Sequence, residues 1–93
     1  MADIKHFETL FEEAEILSLQ KNKAKSTAEI IKEITELFNS YSEADTIDSK
    51  EISASLKHRY MGEALFLMTT LSMRDNINTY AALNDQMNLN KAG

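Results

Sequence analysis

No proline occurs in these 93 residues, and there are only two glycines, Gly62 and Gly93. β-Rich domains of this size reverse direction every few residues and draw on Gly, Pro or Asn-Gly at those turns. A chain nearly without them is confined to helices joined by short polar loops. Ala, Leu, Glu, Lys and Met are plentiful, and these are strong helix formers. The expected fold class is therefore all-α. One domain, residues 1–93, is all this length supports, burying roughly 60–65% of its unfolded surface.

Periodicity and capping residues mark four helices. The first spans about Asp3 to Gln20, with Ile4, Phe7, Phe11 and Ala14 at helical spacing and Leu10 and Leu17 widening the stripe. The basic stretch Lys21–Lys25 suits its C-terminus and reads as a solvated loop. Ser26 and Glu29 have capping-box spacing and open a second helix, whose apolar face is Ile30, Ile34, Leu37, Phe38 and Tyr41. Ser42–Ile47 is polar and is expected to be loop.

Asp48-Ser49-Lys50-Glu51 is a second box-like start, for a helix running to about Arg74. From Tyr60 to Met73 the only charged residue of this helix is Glu63, and Met61, Leu65, Leu67, Met68 and Leu71 point in nearly all directions. A helix apolar all round lies at the centre of a bundle or in a subunit interface. So short a chain has little to cover it with, so a bundle of about four helices completed by oligomerisation is expected. Tyr60, Leu67, Met68 and Leu71 are its interface candidates. Asp75-Asn76 breaks the run, and Asn78 can cap a last amphipathic helix carrying Tyr80, Leu83 and Met87.

Charge and composition exclude several functions. The net charge is −5, from 10 basic and 15 acidic residues, so neither a nucleic-acid backbone nor an anionic membrane is the expected partner. There is no Cys, hence no disulfide, thiolate nucleophile or Cys-ligated zinc. Two His cannot make a multi-His metal site. No apolar stretch is long enough for a membrane span, and Met1–Leu10 lacks a signal pattern. Cytoplasm is the default compartment.

Two features carry possible chemistry. Glu29, Glu33 and Glu36 form one stripe on the second helix, and Glu33 borders its apolar side. Carboxylates on a helix that faces a second acidic helix can hold Mg²⁺ through hard oxygen ligands; the alternative is a solvated helix edge. Glu63 is the other feature. A carboxylate amid apolar residues is costly unless neutral, cation-bound or paired; reaching the helix edge, or pairing with Arg59 one turn back, would meet that need. His58 reads as a surface residue. Met61, Met68, Met73 and Met87 read as gap-filling core, with an adaptable binding surface as the alternative.

From Ala28 to Lys91 the chain resembles the all-α nucleoside triphosphate pyrophosphohydrolases of the MazG type. That family carries an EExxE motif on one helix and ExxD on the next, then an apolar run, a turn and a short amphipathic helix. Here Lys32-Glu33-Ile34-Thr35-Glu36-Leu37 stands at the first motif and Tyr60-Met61-Gly62-Glu63 at the second, followed by Ala64-Leu65-Phe66-Leu67 and the turn Asn76-Ile77-Asn78. Lys32 and Tyr60 replace the leading acid of each motif, and Glu63 stands for the Asp. The resemblance implies Mg²⁺-dependent hydrolysis of a nucleoside triphosphate to the monophosphate and pyrophosphate in an oligomer. Glu33, Glu36 and Glu63 would be its metal ligands, with Lys32 and Arg59 at the phosphates. The alternative is a non-catalytic interaction protein, a chaperone or assembly component, that buries the 60–73 helix against a helical partner.

Overall fold

The computed structural model describes residues 4–92, and side chains from Thr9 onward. Its four helices are α1 (Ile4–Lys21), α2 (Thr27–Ala44), α3 (Lys50–Arg74) and α4 (Thr79–Ala92), with no strand among the described residues. The all-α expectation holds. Asp3 and the side chains of Ile4 and Phe7, which the sequence reading assigns to the first helix and its stripe, lie outside what is described.

Local chemistry explains the boundaries. Ser26 caps α2 in a complete capping box, its hydroxyl accepting from the Glu29 amide while the Glu29 carboxylate accepts from the Ser26 amide. The α3 cap is Ser49, whose hydroxyl accepts from the Ile52 amide, one position beyond the expected Asp48. Asn78 caps α4 by accepting from the Ala81 amide at 3.0 Å. Between α3 and α4, Asn76 takes a positive φ of 55°. The Ile77 amide donates back to Ser72 O and the Asn76 amide to Met73 O. This Schellman arrangement closes the helix without glycine, because Asn tolerates the left-handed region.

One expected loop is partly helix. Residues 42–44 continue α2, and the loop begins at Asp45. Ala44 is buried, and its carbonyl accepts from Ser53 Oγ at 2.8 Å. That carbonyl, at the C-terminus of α2, also accepts from the Ile47 amide at 3.2 Å, so the loop and α3 are both tied to it.

Helix α3 packs on both α2 and α1. With α2 it forms an antiparallel hairpin: Ser53 meets Ala44, Lys57 meets Tyr41 and Asp45, and Arg74 reaches Lys25. The buried apolar residues there are Ile30, Ala44, Ala64 and Leu67.

The α1–α3 seam is polar. Ser18 Oγ lies 2.6 Å from Thr69 Oγ1, Asn22 Nδ2 donates to Ser18 O and to Thr70 Oγ1, and Arg74 Nη2 donates to Asn22 O and Lys25 O. Every buried side-chain polar atom among the described residues has a partner, which is what keeps such a seam from costing stability. The described part of the stripe expected on α1, Phe11 and Ala14, does share the packed face with Ser18 and Asn22, but its expected widening at Leu10 and Leu17 does not. Phe11 and Ala14 are half-buried, Ser18 and Asn22 are buried, and Leu10 and Leu17 stand exposed. Nor is Lys21–Lys25 a free solvated loop, since Asn22 and the backbone at Lys25 tie it to α3.

No residue of α4 is buried. Tyr80 meets Phe11 of α1 edge-on, with ring centroids 6.3 Å apart.

Candidate functional site

The antiparallel α2–α3 pairing opens a groove of about 500 Å³, lined by Glu33, Glu36, Leu37 and Ser40 from α2 and by Glu63, Phe66 and Leu67 from α3. All three acids singled out as metal ligands thus border one concavity. The register follows from the hairpin, which sets the middle of α2 against the middle of α3. Leu37 and Ser40 lie one and two turns beyond Glu33 on the same face, and Phe66 lies one turn beyond Glu63. Sequence reading did not place Ser40 or Phe66 in the site, although that spacing was available to it.

The carboxylates do not converge. Glu33 Oε2 accepts from Lys25 Nζ at 2.9 Å, and Glu63 Oε1 accepts from Arg59 Nε at 3.1 Å. Glu36 is exposed. Among the described residues, no group of three or more His, Cys, Asp or Glu stands close enough to hold a metal ion. As a donor set, three carboxylates beside a serine hydroxyl are the hard oxygens that Mg²⁺ takes. As arranged, two of the three are engaged by cations.

Glu63 is therefore not a buried acid within an apolar helix. Its side chain is 47% exposed and pairs with Arg59 one turn back. Two partner helices cannot cover a third one all round, and Glu63 occupies a part of α3 left open. Glu29, the first acid of the row, serves the capping box.

Neither Lys32 nor Arg59 lines the groove. Lys32 is exposed on α2, and Arg59 borders the groove through its bond to Glu63. The four interface candidates separate. Leu67, only 8% exposed, belongs to the chain's own core; Tyr60 and Leu71 are half-buried; Met68 is exposed. The methionines are mostly not core: Met61, Met68 and Met87 are exposed and Met73 is half-buried. His58 is exposed, as read.

At the loop end of the hairpin, Lys57 donates to Asp45 Oδ1 and sits 5.7 Å from the centre of the Tyr41 ring. The bond to Asp45 holds the Lys57 ammonium above its usual pKa of 10.5, helped by the charges of Asp45 and Tyr41 and opposed by desolvation.

No described helix is long and apolar enough to cross a membrane. Comparisons with protein-family models, with curated proteins and with solved structures gave no match to this chain.

Proposed function

We propose that the α2–α3 groove binds a nucleoside triphosphate with Mg²⁺, in a protein of MazG type that hydrolyses the triphosphate to monophosphate and pyrophosphate. The observation that carries this reading is the shared groove. Glu33 and Glu36 from one helix and Glu63 from the next line a single concavity, where the resemblance would put its ligands. The pair that now holds Glu63 is solvent-exposed and the one that holds Glu33 is half-exposed; pairs so open to water are worth about 0–1 kcal/mol each, so a divalent ion can compete for both. In that reading Glu33, Glu36 and Glu63 hold the ion, and Arg59, once released from Glu63, is at the groove edge to meet phosphate oxygens, with the exposed Lys32 of α2 as the second cation. The ion's contribution in such chemistry is to neutralise the triphosphate and activate the attacking water.

The test is thermal unfolding with and without millimolar Mg²⁺ or Mn²⁺, on wild type and on Glu63→Gln. An ion at 100 times its dissociation constant adds about 2.7 kcal/mol, which raises Tm by roughly 10 °C or more in a domain this small. A rise in wild type that vanishes in the variant supports the site, and triphosphate hydrolysis is then assayed directly. No rise leaves the second reading, a non-catalytic helical interaction protein. The exposed Met61, Leu65 and Met68 on α3 favour that alternative, because uncovered apolar helix faces mark protein contacts.

A further inference from the structure

At the C-terminal end of α3 a second cavity, of about 410 Å³, opens between α1, the 75–78 turn and the start of α4. It shares no lining residue with the α2–α3 groove. Its walls include Phe11, Glu12 and Glu15 of α1, Ser72 of α3 and Tyr80 of α4. Glu15 lies one turn beyond Phe11 and three residues beyond Glu12, so the three share one side of α1.

The cavity holds two carboxylates, and among the described residues no Lys, Arg or His lines it. Nor is either carboxylate paired: the ion pairs of the described residues are Lys25–Glu33, Lys57–Asp45 and Arg59–Glu63. Arg74, two residues before Asn76, is turned instead to Asn22 O and Lys25 O. Glu15 is half-buried, and a carboxylate drawn out of water without a partner carries a penalty that a bound cation relieves. Ser72 is buried and its hydroxyl donates to Thr69 O, which leaves it only lone pairs to offer a ligand. Phe11 and Tyr80, edge-on with centroids 6.3 Å apart, add apolar and π surface on which an organic cation can rest.

We propose that this cavity binds a small organic ammonium ion with an aromatic or other apolar body. The ammonium donates to Glu12 and Glu15, and the body lies against Phe11 and Tyr80. Two carboxylates are fewer oxygens than Mg²⁺ or Ca²⁺ gathers, and a bare metal ion makes no use of the rings. An anion is repelled by the same two acids. The volume is within the roughly 300–1,000 Å³ of small-molecule sites. Because α4 has no buried residue and meets α1 through Tyr80 and Phe11, a ligand lodged there also fastens α4 to the chain. The inference stands on this cavity alone and holds whether or not the groove binds an ion.

Phenethylammonium is the probe, titrated into the full chain and followed by amide NMR. The expected result is saturable shifts confined to the cavity residues, slower amide exchange in the first turn of α4, and affinity that falls as salt rises. Phenethyl alcohol, the same body without the charge, should bind about tenfold or more weakly. Glu15→Gln should weaken the ammonium probe to the same extent. Its carboxylate has no partner among the described residues, so this variant should fold as the wild type does. Glu43→Gln removes the same charge from an exposed position on α2 and should leave the affinity within about twofold. Equal binding of the alcohol overturns the proposal, as does unchanged affinity in Glu15→Gln. So do the same shifts from Mg²⁺ alone, shifts centred on the α2–α3 groove, or no saturation at millimolar probe.

Discussion

Glu33 and Glu63 line opposite walls of one groove, and each is held from outside it, Glu33 by Lys25 at 2.9 Å and Glu63 by Arg59 at 3.1 Å. Glu36 and Glu63 are exposed and Leu67 is buried, so the groove is acidic at its rim and apolar beneath, at Leu37, Phe66 and Leu67. Such a rim can exchange its lysine and arginine partners for another cation without disturbing the packing below.

In the absence of metal, Glu63→Gln is expected to shift stability by less than about 0.5 kcal/mol. It removes only an exposed i,i+4 pair in the weaker Arg-before-Glu order. Thermal melts in chelator check this: a change in Tm above roughly 4 °C would show that Glu63 is covered in solution.

Asn22→Ala should cost about 1–3 kcal/mol, lowering Tm by several degrees or more. Asn22 is buried, and its amide joins Ser18 O to Thr70 Oγ1. Thr70→Val breaks the same link, so denaturant melts of the double variant should show less than the sum of the two single losses.

Gly62→Ala is expected to stabilise by about 0.8–1 kcal/mol. Gly62 lies in the interior of α3, and an added Cβ would meet nothing within 4 Å, so the gain is the helix propensity of Ala over Gly. A fall in Tm would reveal a surface that approaches α3 closely at this point.

Lys57 links stability to alkaline pH. Because Asp45 raises its pKa in the folded state, the contribution is complete below the unfolded value and is lost as pH rises through the higher folded one. An NMR titration of the Lys57 ammonium should give a lower pKa in Asp45→Asn than in wild type. Equal values would show that the pair does not persist in solution.

The capping residues were the most legible part of the fold. Ser26 with Glu29 and Asn78 with Ala81 act across one turn, and a contact that local can be read from four consecutive residues. Ser49 displaced Asp48 by one position, a choice that local pattern does not separate. On α1 the Phe11–Ala14 face was legible, but Leu10 and Leu17, added to it as apolar neighbours, are exposed. The seam is made instead by Ser18 and Asn22, through bonds to Thr69 and Thr70 some 50 residues away, and polar residues of that kind leave no hydrophobic signature.

By itself the sequence determined that the chain is helical, where its four helices lie, and that α3 is apolar on more sides than the chain can cover. These are properties of backbone preference and of spacing within a turn. Tertiary structure alone decided which sides of α3 are covered. It put Leu67 in the core and left Met61, Leu65 and Met68 outside, and it turned Glu63 to Arg59 at the edge of a groove shared with Glu33 and Glu36. The physical reason is that a helix fixes angles among its own residues, whereas the register and crossing of its neighbours fix which of those angles see water.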